Sequence, residues 1–247
     1  MPQLRLRLGS RRDPFRVFTG SESNVSSVTV LLPGYNVARH LDALVEALRR
    51  ELPDAELLLV DDGSADDTAN VARGLGLTVI EHEVNQGKGM ALRTGFEAAV
   101  EAGAEAVITM DSDGQHLPSE APRFVAAWQA GADVVVGDRM ADNDNMPWLR
   151  KRTNEFTSWV ISSVAGAHIP DSQNGYRLFD TKVLRTVKLE SRRDDMESEI
   201  LIRAARQGYT IASVPISTIY HDEQSSINPF VDTGRFIRLV WRARNWR

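Results

Sequence analysis

The first half of the chain alternates short apolar segments with segments of helical periodicity. The apolar segments are almost free of polar residues and are predicted to be strands, at 28–32, 56–60, 77–80 and 106–110. The intervening segments repeat apolar residues at helical spacing, at 38–51, 65–73 and 87–102. Strands that lack an alternating polar face are buried on both sides. We therefore predict an α/β fold, in which helices flank one mostly parallel sheet and ligands bind at the carboxyl ends of its strands.

The second half continues this alternation and then loosens it. A helix is predicted at 119–129 and a strand at 133–137; these are followed by a helix at 146–165, a strand at 175–179, a helix at 197–207 and an extended segment at 209–214. We expect a nucleotide-binding first half and a more variable, acceptor-binding second half. The length of 247 residues, 42% of them hydrophobic, suits a single core.

Charge is distributed unevenly along the chain. Residues 1–20 and 231–247 each carry five arginines and one acid, a net charge of +4 at either end, which leaves −13 on the body of a chain whose total is −5. We predict a basic arm at 1–24, one domain at 25–225 and a basic aromatic helix at 226–247. The acidic body argues against nucleic-acid binding, whereas the basic ends suit an anionic membrane surface. The terminal helix either lies at a membrane interface or docks on the domain.

Composition also bears on the compartment. The chain contains no cysteine, which excludes disulfides, thiolate metal sites and cysteine nucleophiles. An uncharged run at 156–170 is too short and too polar to span a bilayer, for which about 20 apolar residues are needed. Arginines interrupt the apolar residues at the start of the chain, as they would not in a signal peptide. We expect a cytoplasmic protein, soluble or peripheral on the cytoplasmic face of the membrane, and the sequence does not indicate its oligomeric state.

Each of the four predicted strands of the first half is followed by a polar, glycine-containing motif. The motifs are Pro-Gly-Tyr-Asn at 33–36, Asp-Asp-Gly-Ser at 61–64, Asn-Gln-Gly-Lys-Gly at 85–89 and Asp-Ser-Asp-Gly-Gln-His at 111–116. The first motif either lines a base pocket or forms a turn, and it is not the Gly-x-Gly-x-x-Gly of a dinucleotide site. The third motif lies at a helix start, where N–H groups and a lysine favour a phosphate. One binding site explains four motifs on one rim better than four unrelated turns do.

The fourth motif places two carboxylates two residues apart. Side chains repeat every second residue in an extended segment, so Asp111 and Asp113 can face the same way. An isolated Asp-x-Asp is more often an acidic turn. Its place among the other strand-end motifs instead favours a site for a divalent cation and an anionic ligand.

Together with Gly-Asp-Arg at 137–139 and Asp-Ser-Gln-Asn-Gly-Tyr-Arg at 171–177, these motifs resemble those of the inverting nucleotide-sugar glycosyltransferases of family two, which have the GT-A fold. Within that family the chain is most similar to the dolichyl- or polyprenyl-phosphate mannosyl- and glucosyltransferase group. The resemblance covers residues 28–220 and rests on the ordered set, since each motif alone is weak. One departure is Val37, at a position where many relatives have a Glu that contacts the base or ribose.

The resemblance implies a role for each motif. It implies that the nucleotide-sugar donor is bound by Pro33, Tyr35, Asn36, Asp61, Gly63, Lys88, Asp111 and Ser112. It also implies that Asp111, Asp113 and Gln115 hold Mg²⁺ or Mn²⁺, in keeping with the preference of these ions for oxygen ligands. His116 is expected to shape its loop rather than to bind the metal.

On the acceptor side, the resemblance implies binding by Arg139, Gln173 and Arg177, and a catalytic role for Asp113 and the two arginines. Guanidinium groups match phosphate geometry, and the alternative for each arginine is an intradomain salt bridge. The acids between 194 and 199 either contain a general base or form a solvated helix start, and the second interpretation is favoured.

We therefore predict an inverting, metal-dependent glycosyltransferase that moves a sugar from a UDP- or GDP-linked donor to a polyprenyl phosphate at a membrane surface. Such an acceptor needs no general base, because its oxygen is already anionic, whereas a hydroxyl acceptor does. Transfer to a hydroxyl of a glycan or small molecule is the first alternative. A sugar-1-phosphate nucleotidyltransferase and a noncatalytic nucleotide-binding protein are the others, and the first of these should have a Gly-rich triphosphate loop that this chain lacks. The sequence does not distinguish uracil from guanine, nor does it indicate the sugar.

Overall fold

A computed structural model of the protein describes residues 28–140, 148–191, 195–217, 236, 238–244 and 246, without the side chains of 149 and 150. The predicted arm at 1–24 lies outside these residues, as does most of the predicted helix at 226–247. The strands are β1 (Val28–Gly34), β2 (Glu56–Asp61), β3 (Thr78–Glu81), β4 (Ala106–Thr109), β5 (Val134–Asp138), β6 (Arg177–Asp180) and β7 (Ile211–Pro215). They form one sheet in the order β3-β2-β1-β4-β6-β5-β7.

Seven helices of the described chain flank this sheet: α1 (Ala38–Glu51), α2 (Thr68–Gly74), α3 (Lys88–Glu101), α4 (Ala121–Gln129), α5 (Trp148–Ala165), α6 (Thr181–Thr186) and α7 (Asp195–Arg206). A 3-10 turn, Pro118–Glu120, precedes α4. The sequence interpretation missed the short helix α6, whose start is capped by Asp180 through a hydrogen bond from the backbone N–H of Lys182. Helix α2 begins three residues later than predicted, because the carboxylate of Asp66 accepts from the N–H of Thr68.

The sheet is mostly parallel, with one exception that positions the site. Strand β6 runs antiparallel to both β4 and β5, while the other neighbouring pairs are parallel. The first residue of β6, Arg177, consequently pairs with Thr109, the last residue of β4. The loop that leads into β6 therefore reaches the same rim as the Asp-x-Asp motif that follows β4.

Two hydrophobic clusters cover the two faces of the sheet. One contains buried residues of α3, α5 and α7, and the other contains buried residues of α1 and α4. Helix α3 packs closely on the sheet at Gly95, where an added Cβ would lie 2.1 Å from Cδ1 of Leu31 in β1. This contact holds the start of α3 near the rim of the sheet.

The described part of the C-terminal segment packs on the domain. Leu239 and Ala243 are buried in the cluster that contains α5 and α7. Arg206 donates to the carbonyl of Trp246 over 2.9 Å, and the guanidinium of Arg203 lies 4.2 Å from the centre of the Trp246 ring. Of the two alternatives, a helix at a membrane interface or a helix docked on the domain, these residues show the second. Among the described helices, none is both long and apolar enough to cross a membrane.

Candidate active site

A cluster of opposite charges lies at the carboxyl end of β4. The ammonium of Lys88, at the start of α3, is 2.6 Å from Oδ1 of Asp111 and 3.3 Å from Oε2 of Glu197 in α7. The three side chains are 30%, 28% and 17% exposed, respectively, so the cluster is half-buried and open to a ligand. Residues from the first half of the chain thus meet a residue from the second half at one point.

Electrostatics keep both members of the central pair charged. Burial by itself raises the pKa of the Asp111 carboxyl, but the Lys88 ammonium outweighs it and the pKa is lowered to about 2. Burial lowers the pKa of Lys88, and the charges of Asp111 and Glu197 outweigh that effect and raise it above its usual range. Asp111 is therefore a carboxylate throughout the physiological pH range, as a ligand of a hard cation must be.

The backbone of the loop before β6 passes directly against this pair. A Cβ added to Gly175 would lie 2.7 Å from the Lys88 nitrogen and 2.8 Å from Oδ2 of Asp111. Gly175 does not have a positive φ, so its backbone conformation does not require a glycine. The close approach of its backbone to Lys88 and Asp111 does. The loop backbone at Gly175 therefore forms one wall of the charge cluster.

The loop that contains the proposed metal ligands is held in place by its own hydrogen bonds. The N–H of Gln115 donates to Oδ1 of Asp113 over 3.0 Å, and the N–H of Asp111 donates to Nδ1 of His116 over 3.3 Å. Burial lowers the pKa of His116, which keeps the imidazole neutral, and its ring stacks on Tyr176 with centroids 5.0 Å apart. These contacts agree with a role for His116 in shaping the loop.

The donor set of this loop suits a hard divalent ion that shares its coordination shell with phosphate. The ionised carboxylate of Asp111, the carboxylate of Asp113 and the carboxamide of Gln115 are all oxygen donors. Among the described residues, no group of three or more His, Asp or Glu side chains is placed to hold a metal by itself. The oxygen donors of the loop fit Mg²⁺ or Mn²⁺, ions that usually complete their coordination shell with water and phosphate oxygens.

The ends of β1 and β2 are tied together by the residues predicted to bind the donor. The side-chain oxygen of Asn36 accepts from the N–H of Ala65 over 2.8 Å, and the N–H of Asn36 donates to the hydroxyl of Ser64 over 2.9 Å. Asn36 has a φ of 56°, in the left-handed region that asparagine tolerates better than most residues. Oδ1 of Asp61 accepts from the N–H of Ser64 over 3.0 Å. The Tyr35 ring, by contrast, is exposed at 51%.

Two further predicted donor residues are fixed by packing. The hydroxyl of Ser112 is buried and donates to the carbonyl of Pro33 over 3.0 Å, which joins the β1 and β4 motifs. Gly63 has a φ of 72°, and a Cβ there would lie 2.7 Å from the backbone of Val84 and Asn85. Ser112 thus joins the fourth motif to the first, and Gly63 places the second motif against the third.

The neighbouring Asp62 has a structural function that the sequence interpretation did not assign. Its carboxylate accepts from the N–H groups of Gln86 and Gly87 over 2.9 and 2.7 Å, and from Nδ1 of His82 over 2.7 Å. It therefore anchors the loop that precedes Lys88. No sequence signal identified this anchor, because its partners lie 20 to 25 residues away.

The two arginines predicted to bind the acceptor make contacts inside the domain. Arg139 forms a two-point ion pair with the fully buried Asp171, with Nε and one Nη of the arginine 2.7 and 3.0 Å from its two oxygens. Arg177 is 1% exposed and donates to the carbonyls of Ser172 and Glu197 over 2.9 and 2.6 Å. These are the intradomain contacts that were the alternative to phosphate binding. An acceptor phosphate can bind these guanidinium groups only if it displaces the protein oxygens that they contact in this structure.

The third predicted acceptor residue and the acidic segment complete the site. Gln173 is exposed on the loop that leads to β6. The favoured interpretation of the acids at 194–199 as a solvated helix start is wrong for two of them. Glu199 is fully buried and accepts from the N–H groups of residues 190 and 191, and Glu197 faces Lys88. Asp194 lies outside the described residues.

Comparison with known proteins identifies the family to which the chain belongs. The sequence profile described as Glycosyl transferase family 2 matches residues 29–191, about two thirds of the chain. The chain belongs to glycosyl transferase family 2. It is therefore a glycosyltransferase, which sets aside the nucleotidyltransferase and the noncatalytic alternatives.

Family members with assigned activities resemble most of the chain. A UDP-N-acetylglucosamine–dolichyl-phosphate N-acetylglucosaminyltransferase of Methanococcus voltae is 31% identical over 86% of this chain and 94% of its own length. A polyprenol monophosphomannose synthase of Mycolicibacterium smegmatis is 30% identical over 76% of each chain. The predicted resemblance to the dolichyl- and polyprenyl-phosphate group is confirmed.

Solved structures confirm the predicted GT-A fold. Glucosyl-3-phosphoglycerate synthase from Mycobacterium tuberculosis superposes with a TM-score of 0.68 at 20% identity, covering 89% of this chain and 79% of that one. The same enzyme has been solved in complex with Mn²⁺, UDP and its product glucosyl-3-phosphoglycerate, with a TM-score of 0.65 at 19% identity over 89% and 78% of the two chains.

Proposed function

We propose that this protein transfers a sugar from a nucleoside diphosphate donor to a polyprenyl phosphate, with inversion at the anomeric carbon. The observation that carries the proposal is the Lys88–Asp111 pair, which lies at the carboxyl end of β4 and directly against the backbone of Gly175. A cationic side chain at a helix start, beside a permanently ionised carboxylate, matches a diphosphate and its metal ion. The names of the relatives from Methanococcus voltae and Mycolicibacterium smegmatis support a lipid-phosphate acceptor.

On the donor side, Asp111, Asp113 and Gln115 would hold Mg²⁺ or Mn²⁺. The ion would supply positive charge that stabilises the departing nucleoside diphosphate. Lys88 adds a second positive charge at the N-terminus of α3, and it is placed to pair with diphosphate oxygens in exchange for Asp111. Mn²⁺ and UDP bound together by the M. tuberculosis structural relative support this arrangement.

The nucleoside would lie along the ends of β1 and β2. The exposed ring of Tyr35 offers a stacking surface, and the Asp61 carboxylate has acceptor capacity for a base N–H or a ribose hydroxyl. Pro33, Asn36, Gly63 and Ser112 complete the donor site by shaping these loops, because their contacts join the strand ends to one another.

The acceptor phosphate would approach from the side of the loop at 171–176. Gln173 is exposed there, and Arg139 and Arg177 place two positive charges beneath the loop. Nε of Arg177 is buried and has no hydrogen-bond partner among the described residues, so a donor of this guanidinium is available to a ligand. A phosphate oxygen attacking the anomeric carbon is anionic already, so this reaction requires no proton transfer to the protein.

One observation favours a second candidate, transfer to a hydroxyl. Glu197 lies within the charge cluster at 17% side-chain exposure, where a carboxylate could accept the proton of an attacking hydroxyl. Replacement of Glu197 by Gln separates the two functions. A hydroxyl acceptor requires that turnover be abolished, whereas a phosphate acceptor requires only a modest loss.

The proposed function is tested by incubating the purified full-length protein with UDP- and GDP-linked sugars, Mg²⁺ or Mn²⁺, and a polyprenyl phosphate. Product is detected as an acid-labile glycolipid, and the anomeric configuration of its sugar is compared with that of the donor by NMR. We expect a glycolipid with inverted configuration from one donor class. Retained configuration contradicts the mechanism, and product only with hydroxyl acceptors selects the second candidate.

A further inference from the structure

Helix α5 exposes an aromatic face. Trp148, Phe156 and Trp159 are 70%, 59% and 66% exposed, and they are half of the six large hydrophobic side chains found exposed among the described residues. At about 100° per residue, these three positions fall within roughly 80° of arc on the helix. The rings of Phe156 and Trp159 are neighbours, with centroids 6.2 Å apart. An exposed aromatic face of this kind marks an interaction surface.

The other side of the same helix is attached to the acceptor side of the active site. The hydroxyl of Ser158 accepts from the N–H of Ser172 over 2.9 Å, and the hydroxyl of Ser162 accepts from the N–H of Ile169 over 2.9 Å. Ile161 is fully buried in the core between these two serines. The loop that follows Ser172 continues to Gly175, beside Lys88 and Asp111. The aromatic face therefore lies one helix away from the loop that the acceptor would approach.

The charge of α5 distinguishes among the partners that could cover this face. The helix carries Arg150, Lys151 and Arg152 near its start and a single acid, Glu155, which pairs with Arg152 over 3.1 Å, so the net charge of the helix is +2. Tryptophan and phenylalanine beside arginine and lysine are typical of helices that lie at a membrane–water interface. A second copy would present the same positive helix, so self-pairing through this face brings like charges together, whereas an anionic bilayer attracts it.

We propose that the aromatic face of α5 docks this enzyme on an anionic lipid bilayer. The inference rests on the proposed function in that a polyprenyl phosphate resides in such a bilayer. It assigns the membrane contact to α5 rather than to the C-terminal helix predicted from the sequence, whose described part packs on the domain through Leu239 and Ala243. Docking through α5 places the loop at 171–176 next to the lipid surface from which the acceptor phosphate emerges.

The test measures co-sedimentation of the full-length protein with vesicles of phosphatidylcholine and phosphatidylglycerol. The variants are Trp148→Ser and Trp159→Ser, singly and together, and the matched control is Trp241→Ser, whose side chain is 65% exposed on the C-terminal segment. We expect each α5 variant to weaken the partition coefficient by about tenfold, the double variant by more than either, and the control by less than twofold. Unchanged thermal unfolding of the α5 variants shows that the fold is retained.

Several outcomes overturn the proposal: no vesicle binding by the wild type, wild-type binding by the α5 double variant, or an equal loss in Trp241→Ser. A double variant that changes the mass measured by light scattering and leaves vesicle binding intact would instead assign the face to a second copy.

Turnover separates this inference from the proposed function. The α5 variants should lose activity toward vesicle-embedded polyprenyl phosphate and keep it toward a short, water-soluble prenyl phosphate. If the wild type binds vesicles through α5 but makes no glycolipid, the proposal of a polyprenyl phosphate acceptor is contradicted. The docking surface is still supported in that case.

Discussion

Two acidic pairs lie on the same rim of the sheet, and they differ in what neutralises them. Asp61, the last residue of β2, and Asp62, the next residue, are 4% and 3% exposed. The carboxylate of Asp62 is occupied by two backbone N–H groups and a histidine ring. Asp111, which follows β4, is more exposed and faces the ammonium of Lys88. Asp62 therefore holds a loop, whereas Asp111 faces an exchangeable charge.

The difference shows why Asp62 is structural and Asp111 suits a ligand. Backbone N–H groups cannot leave Asp62 without unfolding the loop that they belong to. The Lys88 ammonium is carried by a flexible four-carbon chain and can exchange one anion for another. Four experiments test this comparison, in order of decreasing expected effect.

The largest effect is expected from Asp111→Asn. The change removes the charge that is proposed to hold the metal against the diphosphate, so we expect kcat to fall by about a thousandfold or more. The free energy of unfolding should change by only about 1 kcal/mol, because the lost Lys88 pair is partly solvated. Steady-state kinetics and thermal unfolding measure the two quantities. A large loss of stability with preserved turnover would make Asp111 the structural acid instead.

For Asp62→Ala we expect the opposite pattern, in which the main effect is a loss of stability. The variant leaves the N–H groups of Gln86 and Gly87 without their acceptor, which should lower the free energy of unfolding by about 3 kcal/mol. Chemical denaturation provides the measurement. The matched control is Asp67→Ala, an exposed acid of the same segment, for which a change within about 0.5 kcal/mol is expected. Equal losses in the two variants would refute the anchoring function of Asp62.

The variant Lys88→Met tests whether the Lys88 ammonium competes with a metal ion for the Asp111 carboxylate. Without the competing ammonium, Asp111 should bind Mn²⁺ about tenfold more tightly in the absence of nucleotide, a change of about 1.4 kcal/mol. The affinity for UDP or GDP should fall at the same time, because a phosphate partner is lost. Isothermal titration calorimetry measures both affinities. Lys182→Met is the control, since this lysine pairs with Asp133 away from the proposed metal ligands. Weaker Mn²⁺ binding in Lys88→Met would contradict the competition.

The smallest effect is the pH dependence of the Lys88–Asp111 pair. The pKa of Asp111 is lowered to about 2, so the stability that the pair contributes is complete above the unfolded value of about 4 and is lost as pH falls toward 2. The pKa of Lys88 is raised, so the same contribution is complete below the unfolded value of about 10.4 and is lost at higher pH. A double-mutant cycle of Asp111→Asn and Lys88→Met should give a constant coupling of about 1 kcal/mol between pH 5 and 9. A coupling that varies within this window would show that a third group titrates there.

Much of the architecture was predictable from local patterns. Uniformly apolar strands such as β1 and β4, separated by helices of clear periodicity, specify a parallel sheet whose strand ends share a rim. The exceptions were β6, whose antiparallel direction is not encoded in its four residues, and α6, which is only six residues long. The strand direction depends on pairing with β4 and β5, which are distant in sequence.

The site was predictable to the extent that its residues follow strands. Asp111 and Lys88 were identified from their positions at a strand end and a helix start, and the structure brings them into contact. Glu197 was assigned to a solvated segment, because helix-start acids usually are solvated, and only the packing of α7 brings it to Lys88. An intradomain contact was the stated alternative for Arg139 and Arg177, but the sequence did not name their partners, Asp171 and the backbone carbonyls of residues 172 and 197.

The amino-acid sequence by itself determined the family of this enzyme, its α/β architecture and the rim on which its polar motifs lie, because strand and helix periodicity and strand-end motifs are local properties. Tertiary structure decided which charges neutralise each other: Asp62 with backbone N–H groups, Asp111 with Lys88, and Arg139 with Asp171. It also decided which aromatic side chains of the described residues remain exposed, among them Trp148, Phe156 and Trp159 on α5. The physical reason is that burial and ion pairing depend on distances between segments that are far apart in the chain, and no local pattern encodes those distances.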